Sequence, residues 1–439
     1  MRNIYIKTVT CIIVLSVLAV ALASCIRTNM GGSALNIDSE PNNKEQYSET
    51  PSPTVYIDYL PKTESALDVS LLLETVENAA NGILPSDLSE YTYIFNRHLL
   101  SRYASDDMMK RIILELYVSM LTSQVEYTFP SDAQITTTEL ADLLSVIKSD
   151  TPEFLHINDE YTRYTDPDTG LVRKLQFTFS DDPERYYEKL CETLGILEKW
   201  KSDTEEEGAY GRELYVYDRI MQNCEYSLSG KDVASAYGAL VRGSALCEGY
   251  SDAFTLSMFY MGIECMQVYG MAVNSSGDEQ SHAWNYVKPG DDWYEVDITW
   301  DDIDSVIPTP LYAYFNITHD EMSVNHTTDD IFSKMTLPEC NAEELNYHRM
   351  NDCFIEADAD VEDAFFDILN REVPEDAEDE RDMTVKFESE EDYDEFRDRM
   401  DDLLNEWNNG RSYTYISLYK YVFDEKLFVV SFLFELSDV

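Results

Sequence analysis

The sequence is poor in the residues that build metal centres. Its 439 residues include six histidines and eight cysteines. No two histidines have the i, i+4 spacing of a helical metal site, and no Cys-x-x-Cys pair occurs. These absences exclude the common zinc motifs, and we expect neither a metal nor a cofactor.

Basic residues are also scarce. Lysine and arginine total 32 against 85 aspartate and glutamate residues, which gives a formal net charge of −53. Such a field repels phosphate backbones, so the composition excludes a nucleic-acid partner. It would attract cationic substrates, metal ions or basic cell-wall components. The alternative is that the acidity only maintains solubility outside the cell.

Long apolar runs are absent except near the N-terminus. The run from Val9 to Ala23 is shorter than the ~20 residues that span a bilayer comfortably. It follows a basic start and ends in small residues. This pattern predicts a secretory signal peptide over residues 1–24.

The motif Leu22-Ala-Ser-Cys25 ends this segment and resembles a bacterial lipobox. We expect cleavage before Cys25 and lipidation of that cysteine. Residues 25–55 are rich in Asn, Ser, Glu, Thr and Pro, which predicts a flexible tether. Two or more acyl chains would anchor the protein to the outer face of the bacterial cell membrane. An ordinary signal peptide with an incidental cysteine is the alternative.

The remaining cysteines do not indicate a disulfide framework. Apart from Cys11 and Cys25, six cysteines are spread over ~400 residues, which is too sparse for a disulfide scaffold. Cys340 with Cys353 is the pair most open to a disulfide. Cys265 lies in an apolar run and is expected in the core.

Hydrophobic periodicity predicts a mixed α+β protein. Helical patterns cover residues 65–81, 106–122, 137–148, 183–201, 205–224 and 245–260. Strand patterns cover residues 161–164, 171–179, 266–273, 283–287 and 293–297. Beyond residue 340 the composition shifts, and helices over 360–371 and 391–407 with strands over 383–388, 413–423 and 427–436 predict a small α+β unit.

Three residues with catalytic chemistry lie in the central part of the chain. Cys247 occupies the first turn of a predicted helix, where the helix dipole favours a thiolate. His282 and Asp297 lie in two predicted strands separated by the turn 289–292, so a hairpin would place them side by side. A thiol, an imidazole and a carboxylate in this order are the parts of a nucleophile, a base and an orienting group.

The segments around these residues resemble the transglutaminase-like superfamily of papain-like folds. The matching segments are Tyr237–Gly243, Cys247-Glu-Gly-Tyr250, Gly262-Ile263, Val268-Tyr-Gly270, His282-Ala-Trp-Asn285 and Trp293-Tyr-Glu-Val-Asp297. The chain resembles in particular exported bacterial proteins of this superfamily, which are often lipoproteins and also carry segments like Ser149–Phe154 and Tyr314–Ile317. Weaker similarity extends over much of residues 60–330.

The resemblance implies a core in which a helix bearing the cysteine packs on an antiparallel sheet bearing the histidine and aspartate. Cys247 would be the nucleophile, His282 the general base and acid, and Asp297 the group that fixes the imidazole tautomer. The backbone N–H of Cys247 would form part of the oxyanion hole, with Tyr237 as a candidate second donor. Trp284 and Trp293 could line a substrate groove, but packing is the favoured interpretation for both.

These inferences predict five segments: a signal peptide over 1–24, a lipidated tether over 25–55, an N-terminal helical and hairpin region over 56–230, a transglutaminase-like catalytic core over 231–335, and a small α+β domain over 340–439. The predicted function is that of a cell-surface cysteine hydrolase or acyltransferase. Its substrate would be a peptide, protein or peptidoglycan-linked amide, and either water or an amine would resolve the thioester. A non-catalytic surface binding or scaffolding module with the same fold is the alternative.

Overall fold

The structure is a computed structural model that describes residues 66–274, 276–302, 310–357, 359–374, 377 and 380–438. The predicted signal peptide, the predicted lipidation site Cys25 and the tether lie outside the described residues. The described chain divides into two compact units. The first comprises residues 66–150 and 156–187, and the second comprises residues 151–155 and 188–438.

The first unit combines helices with a three-stranded antiparallel sheet. Its helices are α1 (Val69–Ala80), a 3₁₀ helix (Ser89–Asn96), α2 (His98–Ser101), α3 (Asp107–Leu121) and α4 (Thr137–Asp150). Its strands β1 (Glu126–Thr128), β2 (Ile157–Thr165) and β3 (Val172–Phe179) pair in the order β1-β3-β2. A capping box opens α4, because Thr136 and Glu139 exchange side-chain and backbone hydrogen bonds.

The second unit contains two four-stranded sheets and most of the helices. Its first elements are α5 (Pro183–Asp203, which begins in the first unit), α6 (Ala209–Asn223), β4 (Glu225–Tyr226), a π-helical turn (Gly238–Arg242), β5 (Ser244–Ala245), α7 (Cys247–Met261), β6 (Glu264–Val273), β7 (Glu279–Lys288), β8 (Tyr294–Val296) and α8 (Ile298–Asp301). They are followed by α9 (His319–Met322), β9 (His326–Thr328), α10 (Asp330–Ser333), α11 (Tyr347–Met350), β10 (Phe354–Ile355), α12 (Val361–Glu372), β11 (Glu380–Phe387), α13 (Glu390–Asn409), β12 (Thr414–Asp424) and β13 (Val429–Asp438).

Helix α7 is the central helix of the site region. Almost all of its side chains are buried, including polar ones such as Ser251 and Thr255. Its apolar residues therefore cover more than one face, unlike those of a surface helix. The helix begins at Cys247, after extended Leu246, and ends at Met261. The cap residue Gly262 has a φ of 78°, which glycine readily adopts.

The sheet beside α7 has the order β8-β7-β6-β9 and is antiparallel throughout. The register of β6 and β7 places Gly270 opposite His282, and Gly270 also pairs with Thr328 of β9. A Cβ atom at Gly270 would lie 2.0 Å from the carbonyl oxygen of Thr327. Glycine is therefore needed for β9 to approach β6 this closely.

The second sheet has the order β10-β11-β13-β12, and α12 and α13 contribute to its hydrophobic core. Strand β10 pairs in parallel with β11, and the remaining pairs are antiparallel. Its core is rich in aromatic residues, such as Phe365, Phe396 and Phe432. These helices and strands correspond to those predicted beyond residue 340, and they belong to the same compact unit as α7.

The predicted α+β class is confirmed. The predicted helices and strands lie within a few residues of their observed bounds. The largest shifts at a helix start are those of α1, which begins at Val69 rather than residue 65, and of α6, which begins at Ala209 rather than residue 205. Cys340 and Cys353 are both free and buried, so the pair considered for a disulfide is not bonded. Cys265 is 1% exposed and lies in the core as expected.

Candidate functional site

Cys247 is the first residue of α7, as the sequence predicts. The N-terminus of a helix stabilises an anion, because its backbone N–H groups have no partners within the helix. The following Gly249 allows the helix to lie close to a neighbouring loop, since a Cβ atom there would be 2.4 Å from the carbonyl oxygen of Val233. The Cys247 residue is 3% exposed, so its thiol lies in a largely desolvated environment.

His282 and Asp297 are in contact, which fulfils the geometric expectation from the predicted hairpin. His282 lies on β7, and Asp297 directly follows β8. The His282 Nε2 atom is 2.6 Å from Oδ2 of Asp297, and both side chains are buried. The other oxygen of Asp297 accepts hydrogen bonds from the backbone N–H groups of Thr299 and Trp300. Asp297 is therefore the N-cap residue of α8, a position that favours aspartate.

Asp297 and His282 each stabilise the charged form of the other. Burial opposes a charged imidazole, but Asp297 and Cys247 outweigh it and raise the pKa of His282 to about 10. Burial would likewise raise the pKa of Asp297, yet His282 and His326 hold it well below 3.8. At neutral pH the pair is therefore an imidazolium and a carboxylate. Because Nε2 contacts Asp297, Nδ1 is the ring nitrogen left to serve the thiol of Cys247, whose interaction with the imidazole helps to raise the pKa of His282.

A second histidine, His326, contacts the same carboxylate and was missed by the sequence reasoning. Its Nε2 atom is 3.1 Å from Oδ2 of Asp297, and its side chain is fully buried. Burial lowers the pKa of His326 more than the contact with Asp297 raises it. The three-residue strand that carries this histidine has too little periodicity to be recognised, and its pairing with β6 is a long-range contact. The sequence has six histidines, and this small number was the feature that could have drawn attention to His326.

Aromatic rings surround the two imidazoles. Trp300 lies 5.7 Å from His282 and 4.6 Å from His326 between ring centroids, and Trp284 lies 6.3 Å and 5.0 Å from them. The indole N–H of Trp284 donates to buried Glu295. Trp284 is 1% exposed and is thus a packing residue, as favoured above.

Tyr237, the candidate second donor of the oxyanion hole, forms a hydrogen bond to another side chain. Its hydroxyl donates to the carboxylate of Glu192. This partner engages the only proton that the hydroxyl can donate. The structure thus gives no support to Tyr237 as an oxyanion donor, while the backbone N–H of Cys247 stays a prediction.

His282, Asp297 and His326 are also residue types that bind metal ions. One nitrogen or oxygen atom from each lies within 4.8 Å of the others. Ligands around a tetrahedral zinc ion are about 3.3 Å apart, since each bond is about 2.0–2.1 Å long. The imidazole-to-carboxylate separations of 2.6 and 3.1 Å are instead those of direct hydrogen bonds. The polar atoms are thus directed at one another and not at a shared centre.

The environments of the other cysteines suit structural roles. Burial raises the pKa values of Cys224 and Cys353 to about 12. Burial also raises the pKa of Cys340. Cys191 is exposed. Cys247 differs from these four cysteines because its thiol interacts with a histidine that is paired to a carboxylate.

Along the described part of the chain, no helix has the length and apolar character needed to cross a membrane.

Comparison with known protein families gives one match to part of the chain. The model of the Transglutaminase-like superfamily matches residues 198–298, a range that includes Cys247, His282 and Asp297. No curated protein matches the chain.

Three solved structures share similarity with parts of the chain. A putative cysteine protease from Cytophaga hutchinsonii is 14% identical over 32% of this chain and 61% of its own, with a TM-score of 0.21. The periplasmic domain of TgpA from Pseudomonas aeruginosa, bound to ethylmercury, is 19% identical over 30% of this chain and 56% of its own, with a TM-score of 0.20. A structure described as a TGase is 12% identical over 46% of this chain and 53% of its own, with a TM-score of 0.24.

The chain thus spans between about half and three fifths of the length of these three structures. The match of the transglutaminase-like superfamily model to residues 198–298 confirms the predicted resemblance for that part of the chain.

Proposed function

We propose that this protein is a cysteine hydrolase or acyltransferase that acts on peptide or carboxamide bonds. Cys247 is the nucleophile, His282 the general base and acid, and Asp297 the residue that orients the imidazole. The observation that carries this proposal is the buried His282–Asp297 hydrogen bond of 2.6 Å beside a cysteine at the start of a helix. Burial of these polar and charged groups has a desolvation cost in free energy. Groups of this kind are common at functional sites, which favours a catalytic role.

The proposed reaction has two steps. The Cys247 thiolate attacks the carbonyl carbon, and the backbone N–H of Cys247 stabilises the oxyanion that forms. Collapse of this intermediate breaks the carbon–nitrogen bond, and the His282 imidazolium gives its proton to the departing amine. Water or a second amine then attacks the thioester while His282 accepts its proton, which releases the acid or the new amide and restores the thiolate. Asp297 holds the ring so that Nδ1 faces the reacting sulfur.

The substrate class follows from charge and location. A net charge of −53 favours cationic peptides or the basic components of a cell wall over polyanions. We propose that the enzyme acts at the outer face of the bacterial cell membrane, held there by a lipid on Cys25. Peptide, protein or peptidoglycan-linked amides are the substrates within reach of such an anchor.

A mapped thiol probe tests the enzymatic proposal. The folded protein is treated with a small electrophilic amide at pH 6, digested and analysed by mass spectrometry. We expect the adduct on Cys247, no adduct at that position in Cys247→Ser, and strong slowing in His282→Ala. Preferential labelling of exposed Cys191 would instead favour a non-catalytic binding or scaffolding module.

A separate experiment tests the anchor. Wild-type protein expressed in bacteria should partition into the detergent phase, and Cys25→Ser should move it to the aqueous phase because it removes the lipid acceptor. Cys11→Ser is the matched control, since it changes a cysteine inside the predicted signal and should leave partitioning unchanged. Equal detergent partitioning of wild type and Cys25→Ser would reject the lipoprotein proposal without affecting the catalytic one.

A further inference from the structure

The Asp297 carboxylate has more hydrogen-bond donors than a Cys-His-Asp site requires. Oδ1 accepts the backbone N–H groups of Thr299 and Trp300 at 3.0 and 3.3 Å. Oδ2 contacts Nε2 of His282 at 2.6 Å and Nε2 of His326 at 3.1 Å. A carboxylate has about four lone-pair sites. All four are engaged, so the carboxylate is fixed in both position and rotation.

The position of the proton on His326 follows from its partners. The contact of Nε2 with the ionised Asp297 is attractive when Nε2 carries a proton. On the other side of the ring, Nδ1 is 2.6 Å from Oδ1 of Asn325, whose amide nitrogen donates to the hydroxyl of Tyr314 at 2.7 Å. This arrangement suits an imidazolium. For the neutral ring, a half-turn of the Asn325 amide would let its N–H donate to Nδ1. In both charge states, an N–H group faces Asp297.

The side chain of His326 is enclosed by aromatic rings. Its side chain is fully buried, and the rings of Trp284, Trp300 and Tyr314 lie within 4.6–5.8 Å of it between centroids. An aromatic enclosure of this kind strengthens the hydrogen bonds inside it and excludes water. Loss of the histidine donor would therefore leave part of a buried carboxylate unsatisfied.

We propose that His326 is a positioning residue for the catalytic site. Its Nε2–H group holds Oδ2 of Asp297, and the carboxylate in turn keeps the His282 ring aligned with Cys247. This role rests on the proposed function, because it acts through the proposed base. The short strand that carries His326 is held against the sheet by the close pairing at Gly270.

The test uses the full chain and measures the rate of iodoacetamide alkylation of Cys247 at pH 6 by peptide mass spectrometry. His326→Leu removes the donor but keeps an apolar group, and we expect alkylation to slow about tenfold or more, as for loss of a hydrogen bond to a charged group. His326→Gln places an amide N–H near the position of Nε2. It should recover the rate to within about threefold of wild type.

The matched control is His348, another fully buried histidine, whose Nε2 lies 3.1 Å from Oγ1 of Thr384. His348→Leu and His348→Gln should both retain the wild-type alkylation rate in the folded protein. They measure the general effect of replacing a buried imidazole, and circular dichroism verifies that each variant is folded.

A second measurement observes the proton on His326 directly in the wild-type protein. The chain has six histidines, so ¹⁵N-histidine labelling gives a simple spectrum in which His326 is assigned by its loss in His326→Gln. We expect Nε2 of His326 to carry a proton. An unprotonated Nε2 would overturn the proposal even if His326→Leu does not fold.

The outcomes separate the two proposals. If wild-type Cys247 reacts quickly and both His326 variants are equally slow, or neither is slow, the positioning role of His326 is wrong and the catalytic proposal stands. If wild-type Cys247 reacts no faster than Cys191, the proposed function fails, and the positioning role fails with it.

Discussion

The two four-stranded sheets of the second unit differ in the kinds of side chain that they bury. The β8-β7-β6-β9 sheet buries polar and ionisable side chains beside its core, among them His282, Glu295 and His326. The β10-β11-β13-β12 sheet has a core dominated by aromatic and aliphatic residues. Apolar burial stabilises a fold directly, whereas buried charges need partners to offset their desolvation. The comparison indicates that one sheet mainly supports the structure and that the other supports the proposed catalytic residues.

The largest expected effect is on the stability of the aromatic sheet. Phe432 is fully buried and contacts Phe365, Phe396 and Phe434. Phe432→Ala should lower the free energy of unfolding by about 3–5 kcal/mol, because it removes a large ring and leaves a cavity. Denaturant titration measures this change. Under conditions where the variant is folded, Cys247 should alkylate at the wild-type rate; a parallel loss of reactivity would contradict the division between the sheets.

A buried carboxyl group in α6 sharpens the comparison, because it shows how burial of an ionisable side chain changes the stability of the protein with pH. Burial raises the pKa of Glu213 to about 8, and its side chain accepts a hydrogen bond from Asn316. Between the unfolded pKa and the folded pKa the native state binds the extra proton, so wild-type stability falls as pH rises through this window. Glu213→Gln lacks that titration. Its unfolding free energy should gain roughly 2 kcal/mol relative to wild type between pH 6 and pH 8, whereas parallel stability curves would refute the burial argument.

A smaller effect is expected from neutralising the carboxylate of the site. Asp297→Asn keeps an acceptor oxygen for the α8 cap but removes the negative charge that helps to raise the pKa of His282. Alkylation of Cys247 at pH 6 should slow about tenfold, since imidazole orientation is only partly retained. Asp301→Asn is the matched control, because that buried carboxyl contacts Tyr217 and the backbone of Tyr314. Equal effects of the two substitutions would argue against a special role for Asp297.

Most of the fold could be predicted because its signals are local. Alternating strands, long periodic helices and the capping box at Thr136 and Glu139 each act within a few residues. The approach of His282 to Asp297 was also predictable, because a short turn between two strands fixes their register. The segments around Cys247 supplied the family resemblance.

The remainder of the site depends on contacts that no local pattern encodes. His326 reaches Asp297 only because β9 pairs with β6, and that pairing depends on the missing side chain of Gly270. The hydrogen bond from Tyr237 to Glu192 joins residues far apart in the sequence and gives the hydroxyl a partner away from the predicted oxyanion role. Long-range pairing and side-chain partner choice follow from tertiary packing, so periodicity does not reveal them.

The pH dependence of Cys247 alkylation in wild type and His282→Ala tests the central claim most directly. Because the pKa of His282 is raised to about 10, its imidazolium persists at both pH 6 and pH 9 and can stabilise the thiolate in wild type. At pH 6 the variant should react about a hundredfold or more slowly. At pH 9 the difference should shrink to less than about tenfold, since a higher pH favours loss of the thiol proton without help from an imidazole. The same ratio at both pH values, or no slowing at either, would contradict the account of Cys247 and His282 as a catalytic pair.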